Sequence, residues 1–136
     1  MIISEIRDFP VSSKSLKDIR EFSRKVIGKS IILKNSKEEL VLAITEAAQN
    51  IVKHAYKDNE NTTDKMQIKI IFENNKLEIG FFDKGKPVVK ENVKHRSLDN
   101  IKPGGLGTYF IKQIMDEVVF KEATGWHNNL VLTKKY

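Results

Sequence analysis

The chain has 136 residues, of which 40% are hydrophobic and 31% charged, and it contains no cysteine. This profile is typical of a soluble globular protein, so we expect one domain over residues 1–136, with neither a disulfide framework nor a thiolate metal site. The net charge of +6 alone would allow a nucleic-acid or other anionic partner, but the lysines are scattered beside acids from Lys14 to Lys135, which favours a solvated surface over nucleic-acid binding.

The N-terminal stretch MIISEIRDFP predicts a short strand over residues 2–9, which Pro10 ends or places at a sheet edge. It carries acids and a proline where a signal peptide needs a basic start and a long apolar run. No segment approaches about 18 consecutive apolar residues, the length that a membrane span requires. We therefore expect a cytoplasmic protein with no membrane contact.

Two helices follow in the prediction. Ser12 and Ser13 are N-cap candidates for the first, in which apolar residues recur at helical spacing until Gly28 supplies the stop. The second is predicted over residues 36–56, where Ser36 and Glu39 have the spacing of a capping box. Its apolar stripe consists of Leu40, Ile44, Ala47, Ala48, Ile51 and Ala55.

The rest of the chain predicts mainly strands. Residues 66–72 and 77–82 should form an antiparallel hairpin through the turn at 73–76, and residues 118–122 and 129–134 two last strands. A helix is expected over 106–117, after a long irregular stretch at 84–103 of the kind that is usually functional or mobile. The fold class is α+β: a two-layer sandwich with helices on one face of a mixed, mainly antiparallel sheet.

Polar residues on the second helix form the first candidate site. Glu46, Asn50 and Lys53 are spaced at i, i+4 and i+7, so they share one stripe at the border of the core. A carboxylate and an amide oxygen one turn apart suit Mg²⁺, and the carboxylate could also activate a hydroxyl group. Taken alone, such a pair is more often a solvated helix face.

Two further motifs carry chemistry. Asp83 ends a strand in the sequence DKGKP, where its carboxylate could accept a hydrogen bond from an exocyclic amine and Gly85 would let the backbone approach a flat ligand. A structural alternative is an ordinary turn. The sequence Gly104-Gly105-Leu106-Gly107 opens a helix, where converging N–H groups suit phosphate; its alternative is a flexible loop end.

The order of these motifs is more specific than any one of them. A helical ExxxN, a strand ending in DxGxP and GGLG opening a helix resemble the N box and the two glycine boxes of the GHKL ATPase/kinase superfamily. The phrases EAAQNIVKHAY and GGLGTYFIKQIMDEV are similar to its small single-domain branch, the bacterial anti-sigma factors that are serine/threonine protein kinases. The resemblance covers residues 40–136 well and implies a Bergerat-type α/β sandwich.

The resemblance also implies roles for the motif residues. Glu46 would be the general base, Asn50 would ligate Mg²⁺ on the ATP phosphates, and Lys53 would approach a phosphate. Asp83 would bind the adenine amine, with Gly85 making room. The triphosphate would be lined by Gly104, Gly105, Leu106 and Gly107.

Residues 84–103 would be the ATP lid in this resemblance, with Arg96 able to touch the γ-phosphate or a partner. The chain departs from the family pattern at Trp126-His127-Asn128-Asn129-Leu130, which lacks the Gly-Thr pair that many superfamily members use near adenine. Thr133 does not replace that pair. His54, His95 and His127 lack metal-ligand spacing, and we expect His54 to be structural.

The implied function is an ATP-dependent serine/threonine kinase acting as an anti-sigma regulatory factor. Its substrate would be a STAS-domain antagonist protein, a sigma factor would be its other partner, and a homodimer is common among relatives. The alternative is a switch protein that binds nucleotide without transferring phosphate. The presence of Glu46 argues against that alternative, because binding alone needs no base.

Overall fold

Five strands and four helices make up the described part of the chain. The computed structural model describes residues 2–88 and 106–136, with only the backbone of Leu106. The strands are β1 (Ile3–Pro10), β2 (Lys65–Glu73), β3 (Lys76–Asp83), β4 (Glu117–Lys121) and β5 (Asn128–Lys135). The helices are α1 (Leu16–Ile27), α2 (Ile31–Lys34), α3 (Lys37–Asn50) and α4 (Leu106–Ile114).

The strands form one sheet in the order β1-β2-β3-β5-β4, and every pairing among them is antiparallel. The β2–β3 hairpin turns at Asn74 and Asn75, whose φ angles of 54° and 58° give the two left-handed positions that a tight two-residue turn requires. Asparagine tolerates this conformation better than other residues with a Cβ atom. The antiparallel pairing of β2 with β3 confirms the predicted hairpin.

Alternate side chains of the strands are buried against the helices. In β2 the buried positions are Met66, Ile68, Ile70 and Phe72, and they join one core cluster with residues of α1, α3 and α4. The helices cover this face of the sheet with α1 packed on α3 and α3 on α4. The predicted α+β class is therefore confirmed, but the expectation of a mixed sheet is wrong, because all pairings in the described sheet are antiparallel.

Helix starts differ from the prediction in two places. Ser12 caps a short 3₁₀ turn at Ser13–Ser15, by accepting a hydrogen bond from the Lys14 N–H, and α1 follows that turn. Ser36 precedes α3 but makes no side-chain cap, so the capping-box prediction is wrong. Its hydroxyl group lies 2.8 Å from the Tyr136 hydroxyl and therefore links α3 to the end of the chain.

Two helix boundaries also differ, and one helix was not predicted. The second predicted helix is α-helical only to Asn50 and continues as a wider π-helical segment at Ile51–Ala55. The predicted helix at 106–117 ends at Ile114, because Glu117 already pairs with Thr133 in the sheet. Helix α2 was not predicted; Ser30 caps it by accepting a hydrogen bond from the Leu33 N–H. In the described residues, no helix is both long and apolar enough to cross a membrane.

Candidate functional site

Glu46 on α3 lies against the first turn of α4. A Cβ atom added at Gly107 would overlap Glu46 Oε2 and would lie only 3.2 Å from Glu46 Cδ. A glycine at 107 is therefore what lets α4 approach the carboxylate so closely. Two motifs that are about sixty residues apart in the sequence meet at this point, as the resemblance implies.

A hydrogen bond makes the second contact between the same helices. The Asn50 side-chain N–H group donates to Thr108 Oγ1 over 3.3 Å, and both residues are half-buried. Because Nδ2 takes this bond, Asn50 Oδ1 is the amide atom left for a ligand. Thr108 was not among the predicted site residues; its only signal in the sequence is its place directly after Gly107.

Lys53 follows Asn50 within the π-helical segment. A π turn closes its hydrogen bonds between residues i and i+5 and so holds more residues than an α turn, which shifts Lys53 off the α-helical stripe of Glu46 and Asn50. The Lys53 side chain is exposed. Segments of this kind are frequent at functional sites, which favours this helix end as part of the candidate site.

Asp83 ends β3 as a buried carboxylate with 3% of its surface exposed. Its Oδ1 accepts two hydrogen bonds of 2.9 Å, from the Gly85 N–H and from Asn128 Nδ2. Burial raises the pKa of Asp83, and the two hydrogen bonds oppose that rise. A buried acceptor of this kind suits a ligand that presents an N–H group.

Asn128 is a site residue that the sequence analysis missed. It stands first in β5, paired with Asp83 across the β3–β5 ladder, and only 6% of its surface is exposed. The amide lies at the end of the site that the resemblance assigns to adenine, where the sequence has no Gly-Thr pair. The register of the β3–β5 pairing was the missing information, because the pattern alone does not place Asn128 opposite Asp83.

Gly85 has a packing role in the structure. An added Cβ atom would lie 2.6 Å from the Ala55 carbonyl oxygen and 2.8 Å from the Tyr56 ring. The Lys86 N–H donates to that same carbonyl group over 2.8 Å and so caps the end of the π-helical segment. The glycine thus lets the DKGKP turn fit against the helix end, whereas room for a flat ligand stays a prediction.

Tyr56 and His127 hold the same turn from two sides. The Tyr56 hydroxyl group donates to Asp64 Oδ2 over 2.9 Å and accepts from the Lys84 N–H over 3.2 Å. Burial is the main reason that the pKa of Tyr56 is raised, and its bond to Asp64 adds to the rise. His127 Nδ1 lies 3.0 Å from the Gly85 carbonyl oxygen. The turn that carries Asp83 is thereby fixed to the π-helical segment, to the start of β5 and to the 56–64 loop.

Several predicted residues take other places. Gly104, Gly105 and Arg96 lie outside the described residues, as does most of the 84–103 stretch, and of Leu106 only the backbone is described. Thr133 is buried within β5 opposite Glu78 and Glu117, so it does not face Asp83. His54 is exposed at the helix end, and Trp126 packs on Phe82 with ring centroids 5.7 Å apart.

The donor set fits a magnesium ion that arrives with a nucleotide. Mg²⁺ takes few protein oxygens and keeps water and phosphate oxygens as its other ligands. Asn50 Oδ1 is one such oxygen, half-buried beside Glu46 and the start of α4. In the part of the chain that the structure describes, no group of three or more acidic, histidine or cysteine side chains could hold a metal ion.

Comparisons with known proteins agree with this geometry. A family model described as a histidine kinase-like ATPase domain matches residues 9–134. Serine-protein kinase RsbW of Staphylococcus aureus strains JH9 and Newman is 38% identical in a 97-residue alignment that covers 63% of this chain. The alignment covers 59% of the relative, so the chain spans about three fifths of the length of these relatives. The chain belongs to the histidine kinase-like ATPase domain family.

Proposed function

We propose that the chain is an ATP-dependent serine/threonine protein kinase that acts as an anti-sigma regulatory factor. The observation that carries the proposal is the meeting of Glu46 and Asn50 with the first turn of α4. An amide oxygen that can hold Mg²⁺, a carboxylate that can accept the proton of an attacking hydroxyl group and a helix start that favours phosphate are groups that phosphoryl transfer uses. The family match and the kinase named among the relatives support it.

In this proposal each residue of the site has a defined task. Asn50 presents Oδ1 to the metal while its N–H group stays on Thr108. Mg²⁺, when bound, neutralises charge on the phosphates. Glu46 accepts the proton of the incoming hydroxyl group as its oxygen bonds to the γ-phosphorus, the bond from that phosphorus to the β–γ bridging oxygen breaks and ADP leaves. Lys53 reaches a phosphate from the exposed helix end. The resemblance assigns Gly104, Gly105 and Gly107 to the triphosphate, and the N–H groups at the start of α4 suit such a ligand.

The other end of the site binds the adenine ring of the nucleotide. Asp83 accepts a hydrogen bond from the adenine amine, for which a buried acceptor at the strand end is suited. Gly85 and Leu106 complete the nucleotide-binding set. The site thus has an adenine end and a phosphate end. Variants at Asp83 should therefore change nucleotide affinity, and variants at Glu46 should change the rate of phosphoryl transfer.

The partners in the proposal follow from the resemblance to the anti-sigma branch. The phosphate acceptor is a serine or threonine of a STAS-domain antagonist protein. The second partner is a sigma factor or a similar regulator, so the proposal locates the protein in the cytoplasm. A homodimer is implied only because relatives commonly dimerise. No nucleic acid and no membrane is required as a partner.

A transfer assay tests the proposal. The protein is mixed with labelled ATP, Mg²⁺ and a STAS-domain protein encoded in the same genome, and the phosphoprotein is measured. The Glu46→Gln variant should bind ATP normally and lose about 10²-fold or more in transfer rate, because it lacks the base. If the wild type binds ATP but gives no phosphoprotein, the kinase assignment fails and the non-transferring switch replaces it. Full transfer by the Glu46→Gln variant would refute the base assignment.

A further inference from the structure

The Asn128 side chain makes three hydrogen bonds to one short segment after β3. Its Nδ2 donates to Asp83 Oδ1 over 2.9 Å and to the Lys86 carbonyl oxygen over 3.0 Å. Its Oδ1 accepts from the Val88 N–H over 2.8 Å. Both Nδ2 protons and the amide oxygen are thus engaged with the 83–88 segment, so the orientation of the amide is determined.

This arrangement divides the two oxygens of Asp83 between separate tasks. Within residues 2–88 and 106–136, the hydrogen bonds to the Asp83 side chain come from Gly85 and Asn128, and both end on Oδ1. The second oxygen, Oδ2, takes neither bond. Two N–H donors on one oxygen favour the ionised carboxylate, which can accept hydrogen bonds but cannot donate them.

Acceptor-only character determines which purine fits. Adenine presents an amine, a donor, at the position where guanine presents a carbonyl oxygen. An ionised Asp83 accepts from the amine and repels the carbonyl oxygen, whereas a protonated Asp83 could donate to the carbonyl oxygen. A group that keeps the proton off Asp83 therefore selects between the two bases.

We infer that Asn128 is a positioning residue that reserves Asp83 Oδ2 for the ligand and thereby sets a preference for ATP over GTP. The inference rests on the proposed function, since it concerns the adenine end of the same nucleotide site. No Gly-Thr pair is needed for this role, because the amide of Asn128 supplies the donor within the β3–β5 ladder.

The surroundings of Asp83 explain why the hydrogen bond from Asn128 is needed to keep this carboxylate ionised. Burial raises the pKa of Asp83, and the Asp64 carboxylate raises it further. The bond from Asn128 is the largest influence that lowers this pKa, followed by the Gly85 N–H and the charge of His127. Tyr56 also faces this region, with its proton on Asp64. Without the Asn128 donor, the pKa of Asp83 should rise further because of burial, and the protonated form becomes more populated.

The test measures the ratio of ATP to GTP affinity by calorimetry for the wild type and three variants. Asn128→Leu removes all three bonds, whereas Asn128→Asp keeps an acceptor for Val88 but places a second acid against Asp83. The matched control is Asn129→Leu, because Asn129 is equally buried on the same strand and its Oδ1 has no hydrogen-bond partner among the described residues. Thermal unfolding checks that each variant is folded.

We expect both Asn128 variants to reduce the ATP-to-GTP affinity ratio by about tenfold, and the Asn129 control to leave it unchanged. The ATP affinity of Asn128→Leu should recover as the pH rises and Asp83 ionises. Folded variants that lose affinity for both nucleotides equally would overturn the inference. A wild-type chain that binds neither nucleotide would overturn the kinase proposal as well, so the two failures are distinguishable.

A measurement on the wild type removes any dependence on the folding of variants. The Asn128 side-chain amide protons should keep their hydrogen-bonded NMR chemical shifts and slow exchange when ATP is added. Shifts of a free, solvent-exposed amide in the ATP complex would show that Asn128 releases Asp83 on binding, and would overturn the inference.

Discussion

Replacing Gly107 by alanine tests the contact between Glu46 and α4. The added methyl group would overlap Glu46 Oε2 and lie 3.2 Å from Cδ and 3.5 Å from Cβ of the same side chain. The near atoms belong to the end of a half-buried, flexible side chain, so the carboxylate can turn away while the helices keep their places. We expect the Gly107→Ala variant to fold with the Glu46 carboxylate, the proposed general base, displaced from its position.

The expected effects on stability and on rate differ in size. Turning Glu46 to a poorer rotamer costs about 1 kcal/mol, and alanine in place of glycine in a helix returns up to about 1 kcal/mol. The free energy of unfolding should therefore change by less than about 1 kcal/mol. A catalytic group displaced by about 1 Å loses up to about 10²-fold in rate, so we expect phosphoryl transfer to fall by roughly 10- to 100-fold.

A double-mutant cycle separates base displacement from other effects. Transfer rates at saturating ATP are measured for the wild type, Gly107→Ala, Glu46→Ala and the double variant, with urea unfolding of each. Gln113→Ala is the control, because Gln113 is an exposed residue that follows Gly107 on α4. Once Glu46 is already truncated, Gly107→Ala should cost little further rate and should stabilise the helix.

Additive effects would refute this account. If Gly107→Ala reduces the rate by the same factor with and without Glu46, the methyl group acts on the nucleotide or on the helix and not through the base. A loss of several kcal/mol in the free energy of unfolding would also contradict it, because the Glu46 side chain would then be unable to move.

Three further predictions concern the rest of the site. Asp83→Asn should unfold at higher urea concentration than the wild type at neutral pH, and this advantage should shrink on acidification. The pKa of Asp83 is higher in the folded than in the unfolded chain. At a pH above this pKa the ionised Asp83 therefore destabilises the folded chain, and as the pH falls protonation of Asp83 removes that destabilisation. Thr108→Val should raise the Mg²⁺ concentration needed for half-maximal ATP binding by about threefold, since it leaves the Asn50 amide unfixed, while Thr108→Ser should not. Gly85→Ala should lower the free energy of unfolding by about 1 to 3 kcal/mol, because its methyl group meets the Ala55 carbonyl group.

Each of these has a result that would contradict it. An Asp83→Asn advantage that grows as the pH falls would mean that the folded chain favours the charged form of Asp83. Equal Mg²⁺ requirements for Thr108→Val and the wild type would remove Thr108 from the positioning of Asn50. For Gly85, an unchanged urea midpoint would show that the DKGKP turn can shift away from Ala55 without cost.

Local patterns predicted the elements well, because each has its own periodicity. The alternation in β2 and β3, with two asparagines between them, is enough to specify the hairpin. The ExxxN spacing likewise predicted that Glu46 and Asn50 share one side of α3, and the structure shows that this side meets α4. Their approach to Gly107 followed from the resemblance, since no local pattern brings residues so far apart in the chain together.

Features that depend on tertiary contacts were not predictable from spacing. The π-helical segment ends where the Lys86 N–H caps the Ala55 carbonyl group, a partner supplied by another element. Ser36 has a capping-box neighbour, yet its hydroxyl group contacts Tyr136 at the far end of the chain. The role of Asn128 requires the register of the β3–β5 ladder. In each case the partner is distant in sequence, and the pattern alone contains no information about it.

A structure of the protein with Mg²⁺ and a non-hydrolysable ATP analogue is the most direct test of the central claim. The account predicts the metal on Asn50 Oδ1, the adenine amine within hydrogen-bond distance of Asp83 Oδ2, and the γ-phosphate between Glu46 and the start of α4. A nucleotide bound elsewhere, or one in this site with its phosphates far from Asn50 and Glu46, would contradict the account.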